Sequence, residues 1–480
     1  MQQALRAPCR PAALRSSARK QCGRLVVRAS VAAPASVDAV VSWAAGKGAK
    51  LEKATLGADL LTDKPILTAA ADVNAGDVLI TVPDSLWISS ENVKKTTVGK
   101  AAAAASLEPW LQLALQLVAD RWGSNKSELA AYAASLPEDL GTPLLWSEEE
   151  LQELAGTQVS QSLSGYLAFF RATFEQLQSG LFASNPAAFP ASVFTLPHFL
   201  WAVAAVRCRA HAPLSEGDKI AVVPVADLVS HRRAANSKLL VRGAGLFGRG
   251  QTLVVEATRP IRKGEAISMD YGTGQLDGPV LLNHGAMDPS SPKPGYSLTL
   301  TLPNTDRFLD DKLDILETNG LSTTMTYPLT PSQQPGQEMM AFLRLFQLKA
   351  ADAFLLESIF RSDVWGFMQD PVSEGNEADV CAMLSEGARA LLAGYPTSLE
   401  EDLVTARAMA GDKASRKYAA LMIRLGEKEA LDALARFFED RRATGLKRLV
   451  YYQERRLRRL GLVDDEGRTT YDSFFKDGIA

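Results

Sequence analysis

Apolar positions recur at three- and four-residue spacing through two long parts of this chain and alternate in shorter stretches between them. Val37 to Lys50 has the rhythm of a short lead-in helix. Ile66 to Trp87, ILTAAADVNAGDVLITVPDSLW, holds two strand-like runs on either side of an Asn74-Ala75-Gly76-Asp77 turn. From Lys100 to His211 the periodicity is helical. PWLQLALQLVADRW predicts an amphipathic helix. SLPEDLGTPLLWSEEELQEL sets Pro and Gly ahead of a helix start, with Ser147 as N-cap and Glu150 three residues on, a capping box. LPHFLWAVAAVRCR, Leu196 to Arg209, predicts the helix that closes this part.

The stretch from Val222 to Met287 changes character. VVPVADLVSH reads as an apolar strand ending in a polar turn at Asp227 to His231, followed by a variable link. A β-rich run, Thr252 to Ala257, and a Lys263-Gly264 turn come next; a second strand, Glu265 to Asp270, delivers Tyr271 to its end. Polar groups held where strands stop are where binding and catalysis concentrate. From Asp306 onward the pattern is again helical, including a long stretch from Arg416 to Leu460. Gly394-Tyr395-Pro396-Thr397 reads as a helix stop and a new start, with Thr397 or Ser398 as N-cap.

Composition narrows the function classes. With 46% hydrophobic and 22% charged residues, 480 residues allow two or three domains with ample core. No apolar run is long enough to span a bilayer, so no membrane partner is expected. Four cysteines (Cys9, Cys22, Cys208 and Cys381) are too few and too scattered for a disulfide framework or zinc cluster. Asp227 and His231 stand four apart, but a chain with four histidines gives a metal site little support, and none is expected.

The first 34 residues carry seven basic side chains and no carboxylate before Asp38. That is the composition of an organellar transit peptide, with a disordered nucleic-acid-binding arm as the other reading. Without this leader the chain has 45 basic against 55 acidic residues, an acidic balance that argues against direct nucleic-acid binding. The basic run ending RRLRR is interrupted by Glu454 and reads as a solvated helix face.

The ADLVSH turn, the KGE turn and the strand-terminal MDYG together resemble the C-terminal half of a SET domain. The likeness is to the branch typified by Rubisco large-subunit methyltransferase, whose members carry ADL-x-NH, a KGE turn and a tyrosine at the strand end. Residues 137 to 157 resemble the TPL-x-WSEEEL run of that family's helical insert, and LKRLVYYQERRLRRLGL looks like its C-terminal substrate-binding helices. The likeness covers roughly residues 37 to 475.

The resemblance implies an α+β fold. It comprises a β-rich SET domain over 35–303, with a helical insert at about 98–212, and an all-α substrate-binding-type domain over 304–480. It makes 1–34 a chloroplast transit peptide, since VVRA-S at Val26 to Ser30 is similar to the stromal processing sites of green-algal precursors. It implies transfer of methyl from S-adenosyl-L-methionine to a lysine of a stromal protein, presented by the C-terminal helices. Tyr271 would then orient the amine; Leu67, Arg209, Ser230 and His231 would line the cofactor; and Asp227, His284 and Ala286 would meet the substrate. The residues by themselves also allow Tyr271 as a core tyrosine, His231 as a structural pin and Arg209 as a helix-end cap.

The chain departs from the family's pattern at several points. Pro65-Ile66 stands where the family has a glycine-containing turn, Ser230 where it has asparagine, and His284 and Ala286 where it has a second tyrosine and a phenylalanine. No aromatic residue lies between His231 and Gly243, where catalytic relatives place a substrate-contacting tyrosine. These differences motivate a second reading of another class: a non-catalytic SET-fold scaffold in a plastid assembly such as the transcription machinery.

Overall fold

Three hydrophobic cores organise the chain: one under the β-sheets, one inside the helical insert and one in the C-terminal part. The computed structural model describes residues 36–124, 126–211, 220–243, 250–357, 360, 363–464 and 468. The basic leader at 1–34 lies outside these residues.

The sheet core gathers Leu67, Leu79, Ile80, Val82, Val229, Leu253, Val255 and Ile267. Its main sheet is antiparallel in the order Lys50–Leu51, Val78–Pro83, Gln251–Ala257, Ser237–Gly243. The last of these strands fills the supposedly variable link. SKLLVRG alternates, with Leu239 and Val241 packed on the core and Lys238 reaching Glu256 opposite it at 3.1 Å. The two runs of residues 66–87 do not form a hairpin with each other. Pro65–Ala69 pairs with Ala54–Ala58, while Val78–Pro83 lies in the main sheet. The intervening turn is held by the chain beyond it: Val73 bridges Ile261, and Gly76 donates to the Ala257 carbonyl at 2.8 Å.

The insert follows its periodicity closely. Helices Pro109–Trp122 and Leu196–Arg209 pack with Gln158–Leu177 around Leu113, Leu117, Phe174 and Phe199. The capping box is formed: Glu150 N–H donates to Ser147 Oγ (3.3 Å) and Ser147 N–H to Glu150 Oε2 (2.8 Å).

The C-terminal core, built on Leu300, Phe342, Val380, Leu384, Leu431 and Phe438, is helical except for one hairpin. That hairpin pairs Tyr296–Thr301 with Thr324–Leu329, and its first strand is buried in this core. TMTYPL gives little strand signal because Leu329 is its one buried residue; Pro328 is accommodated because a two-stranded ribbon leaves an unpaired edge. The helical stretch expected from Arg416 to Leu460 is divided: Arg416–Asp440 runs on through a wide helical turn at Arg441–Gly445 and a tight one at Leu446–Arg448, breaks at Leu449 and restarts as Tyr452–Arg459.

Helix Arg416–Asp440 joins the insert to the C-terminal core. Ala420 and Ile423 belong to the insert core, Leu431 and Phe438 to the C-terminal one. Arg416 bonds Glu150 and Asp139 of the insert at 2.6 Å each, and Arg424 donates to the Glu153 carbonyl at 2.7 Å. Asp402, nearly fully buried, accepts from both Arg424 (2.7 Å) and Lys428 (2.6 Å). Glu427 accepts from the Gln158 amide (3.1 Å) and the Tyr395 hydroxyl (2.6 Å).

Burial pushes the Glu427 carboxyl up to about 8, against an ordinary value of 4.5. A folded value above the unfolded one gives stability that is fully present below pH 4.5 and lost as pH rises through about 8. The thermal midpoint of Glu427→Gln, followed by calorimetry from about pH 5 to pH 9, is therefore expected to fall less with pH than that of the parent. An unchanged slope would overturn this assignment.

Candidate active site

The short strand Ala221–Val222 runs into Val225, whose φ of 74° puts a β-branched residue in the left-handed region. Such a conformation is costly and persists only where its surroundings hold it. It turns the chain into the tight turn Ala226–Leu228 and on to Ser230–His231. That pair lies parallel to Ser268–Met269, with Ser230 opposite Ser268 and His231 opposite Met269. Asn236 pins the crossing, donating to the Ala266 carbonyl (2.8 Å) and accepting from the Ser268 amide (2.9 Å). Tyr271 emerges immediately beyond.

A cavity of about 460 Å³ opens there, walled by Arg209, His211, Asp227, Asp270, Tyr271 and His284 among others. A second, of about 300 Å³, is bounded by Val37, Lys64-Pro65, Leu140 and Val225. Arg209 and Asp227 line both, so this pair forms the wall that the two spaces share.

Asp227 is buried; its Oδ2 accepts from the Tyr132 hydroxyl at 2.8 Å and lies 3.7 Å from Arg209. Arg209 also donates to the Asp227 main-chain carbonyl at 2.9 Å. Burial raises the Asp227 carboxyl above its ordinary value, with the Arg209 guanidinium opposing. The other oxygen, Oδ1, is buried and has no hydrogen-bond partner among the described residues. The backbone amides of Asp227 and Val225 oppose the rise as well.

Tyr271 donates its hydroxyl to the Val229 carbonyl, and its amide donates to His231 Nδ1 at 3.2 Å. Burial pushes its phenol up to about 12, so the hydroxyl stays neutral at physiological pH. His231, buried with its ring 5.2 Å from that of Tyr271, is shifted down by burial. Acceptance at Nδ1 places the proton of its neutral form on Nε2, which lies beside Met269 of the paired segment. His284 ends helix Asp277–His284, with its ring 5.5 Å from Tyr271.

Gly285, which follows, adopts φ 60°, and a side chain on it would meet the Leu140 carbonyl at 2.2 Å. Glycine is thus required where the insert closes over the site. Thr142 seals the joint, donating to the Leu282 carbonyl at 2.7 Å.

The structure therefore brings Tyr271, Arg209, Asp227 and His284 to one cavity, with His231 against Tyr271. Leu67, Ser230 and Ala286 line neither cavity. Leu67 is fully buried in the sheet, its carbonyl accepting from Ile267 at 2.8 Å. Ser230 Oγ is spent on the Ile267 carbonyl at 3.1 Å. Ala286 is half-buried beyond the glycine joint.

Sequence reasoning did not single out Tyr132, Cys208 or His211. His211 could have been found as the polar residue two beyond Arg209 at the helix exit. Tyr132 carries no local signal, because its partner is 95 residues away. Among the described residues no group of His, Cys, Asp or Glu is placed to hold a metal, and no helix is long and apolar enough to cross a membrane.

Two cavities with a charged pair as their common wall, beside crossing parallel segments and a tethered strand-end tyrosine, define a SET-type group-transfer site. Residues 66–272 match the SET domain family and residues 303–431 the Rubisco LSMT substrate-binding family. The chain is 31% identical over 460 residues to the [fructose-bisphosphate aldolase]-lysine N-methyltransferase, chloroplastic, of Arabidopsis thaliana, covering 95% of this chain and 94% of that protein. It is 32% identical over 438 residues to the chloroplastic Rubisco large-subunit N-methyltransferase of Nicotiana tabacum, covering 90% and 88%. The crystal structure of the SET domain of LSMT bound to lysine and AdoHcy superposes with a TM-score of 0.78 at 31% identity, over 92% of this chain and 99% of that one. The chain belongs to the SET-domain protein-lysine methyltransferase family of the Rubisco large-subunit type, whose cofactor is S-adenosylmethionine.

The chemistry of the wall is compatible with a sulfonium cofactor: Asp227 and Arg209 line both cavities, and Tyr271 and Asp270 line the larger of the two. Tyr132→Phe removes one of the donors to Asp227 without changing ring volume. The expected loss is about 1.5–3 kcal/mol of unfolding free energy, the worth of a hydrogen bond to a charged group, read from urea denaturation. A loss within error would show that Asp227 does not depend on Tyr132.

Proposed function

We propose that this protein methylates a lysine side chain of a chloroplast stromal protein, using S-adenosylmethionine and holding its target through the C-terminal helical unit. The observation that carries the proposal is the wall that the two cavities share at Arg209 and Asp227, with the tethered Tyr271 hydroxyl lining the larger. The cofactor and the amine can then approach from opposite sides of that pair. The chloroplast setting rests on the basic, carboxylate-free leader and on plant relatives named as chloroplastic. A shared fold does not fix the target, so the aldolase and Rubisco named in the relatives are not carried over. The comparisons give the non-catalytic scaffold no support.

S-adenosylmethionine, when bound, supplies a sulfonium methyl group that an amine lone pair can displace. The protein's part is alignment and exclusion of water. Tyr271 is held by its bond to Val229, so its oxygen presents its remaining lone pairs in a fixed direction. Asp227 supplies negative potential at the junction, and Arg209, packed against it, keeps that carboxylate from drifting. Leu67, Ser230 and His231 support the site from behind: the first two hold the strand crossing, and His231 holds the backbone of Tyr271.

We also propose a division into the leader at 1–34, a SET unit with its insert at about 98–212, and a helical unit. Because Tyr296, Leu298 and Leu300 belong to the C-terminal core, the seam is best drawn near Gly295, ahead of residue 304.

Calorimetric titration of the full chain with S-adenosylmethionine and S-adenosylhomocysteine should give dissociation constants on the order of micromolar, weakened roughly tenfold or more by Arg209→Ala. Tyr271→Phe should bind both as the parent does, yet lose about a hundredfold in methyl incorporation into stromal extract. Absence of binding at millimolar cofactor would sink the proposal.

A further inference from the structure

Helix Tyr452–Arg459 and the turn before it carry cations that no carboxylate among the described residues answers. The helix is firmly seated. Tyr452 buries its ring against Phe354 and Phe367, and its amide donates to the Val372 carbonyl at 3.1 Å. Beyond its end Gly461 takes φ 67°, and the Leu462 amide donates back to the Leu457 carbonyl at 3.0 Å, so the final turn is fixed as well. Arg456, Leu457, Arg459 and Leu460 then fall on one outward arc. Both arginines are exposed, and Leu457 and Leu460 beside them are 38% and 61% exposed. Lys447 and Arg448, in the preceding turn, are exposed and unpaired too. The Tyr451 hydroxyl, donating to the Leu446 carbonyl at 2.7 Å, ties that turn to the helix start. Neighbouring cations differ: Arg441, Arg455 and Arg458 each face a carboxylate, Glu377, Asp370 and Glu454. The helix dipole accounts in part for arginines in a last turn, but Lys447 and Arg448 stand outside any α-helix.

Resting on the methyltransferase reading above, we propose that this patch docks an acidic, partly apolar surface of the target protein. Carboxylates of the target sit on the free cations, and an apolar side chain sits between Leu457 and Leu460. Three of the four free cations are arginines. A guanidinium pairs bidentately with a carboxylate, and arginine is enriched in protein interfaces where lysine is depleted. Without its leader the chain has 45 basic against 55 acidic residues. A cationic patch on so acidic a background orients an acidic partner, because the rest of the surface repels it. Two other anionic surfaces fit less well. A nucleic-acid backbone offers phosphates to the arginines but nothing to the leucines. A lipid surface holds an amphipathic helix largely by buried apolar area, and eight residues with two partly exposed leucines supply little of it. The patch lies past residue 431, where the match to the substrate-binding family ends, so the family match does not supply it.

The test uses defined polymers as stand-ins for the partner. The full chain is titrated with the random copolymer poly(Glu,Tyr), with poly-glutamate, with poly(U) RNA, and with phosphatidylcholine vesicles containing phosphatidylglycerol. The parent should bind poly(Glu,Tyr) most tightly. Arg456→Glu combined with Arg459→Glu should weaken that binding by about tenfold or more. Raising the salt from about 50 mM to about 500 mM should weaken the parent more than this variant. Leu457→Ser combined with Leu460→Ser should lose roughly threefold against poly(Glu,Tyr) and stay within about twofold against poly-glutamate. The charge-reversed variant should also lose about tenfold in methyl incorporation into stromal extract while keeping the parent's affinity for S-adenosylhomocysteine, which shows that it is folded. No detectable binding of poly(Glu,Tyr), binding that charge reversal leaves unchanged, or tighter binding of poly(U) or vesicles would each overturn the proposal. Two readouts separate the readings. If the parent fails to bind S-adenosylhomocysteine or to methylate the extract, the methyltransferase reading falls; if it does both and the charge-reversed variant does them equally well, only the docking role falls.

Discussion

A carboxylate buried at Asp227 is the constraint on which this site depends. Taking an anion out of water is expensive, and the cost is bearable only if donors surround it. Here the donors come from elements far apart in the chain: the Tyr132 hydroxyl from the insert, and Arg209 from the end of the helix that closes it. The turn that carries Asp227 is entered through a strained Val225, a conformation that needs the packing of its neighbours to survive. Each partner thus fixes the others. The pair that results is also the wall that the two cavities share, so the interaction that closes the insert onto the sheet sets the geometry at which two reactants could meet. A buried ion pair of this kind adds little net stability; its value is in specifying one arrangement.

The rest of the molecule makes that arrangement rigid. The insert is tied down at the Gly141–Gly285 contact, where neither residue has room for a side chain, and again along helix Arg416–Asp440. That helix carries the Asp402, Arg424 and Lys428 cluster, in which one carboxylate answers two cations. A target protein held by the C-terminal unit is therefore held at a fixed distance from Tyr271. The loop of Tyr271 itself is short of regular structure, with Ser268–Met269 its one paired segment, yet Asn236 and Ser237 bond its backbone. Sites supported in this way by secondary hydrogen bonds keep their geometry without long strands.

What could be read from the sequence divides along a physical line. Helices Pro109–Trp122 and Leu196–Arg209 and the Ser147 capping box were legible because their determinants lie within a few residues of each other. Tyr271 was legible because it follows a turn and a strand. Strand Ser237–Gly243 was not, since its stability comes from pairing with Gln251–Ala257 across a connection of no special composition. The partner of Pro65–Ala69 was missed for the same reason. Leu67 and Ser230 were placed at the cofactor by resemblance, but backbone pairing decides their surroundings, and it commits the Leu67 carbonyl and the Ser230 hydroxyl to Ile267. His211 shows the limit most clearly: nothing local tells that a histidine at a helix exit will line a cavity until the fold encloses it.

The departures from the family pattern acquire a common sense in this light. Ser230 is short enough to bond the crossing strand directly; a longer amide there would have to find further partners. Gly285 keeps the glycine that stands between the family's second tyrosine and its phenylalanine, and its close approach to the Leu140 carbonyl leaves no room for a side chain. With those aromatic faces gone, the cavity beside Tyr271 is bounded by His211, His284, Asp227 and Asp270. An aromatic wall recognises a cation by its charge and tolerates methyl groups. The substitutions therefore leave the cavity beside Tyr271 with a wall of imidazoles and carboxylates in place of aromatic carbon.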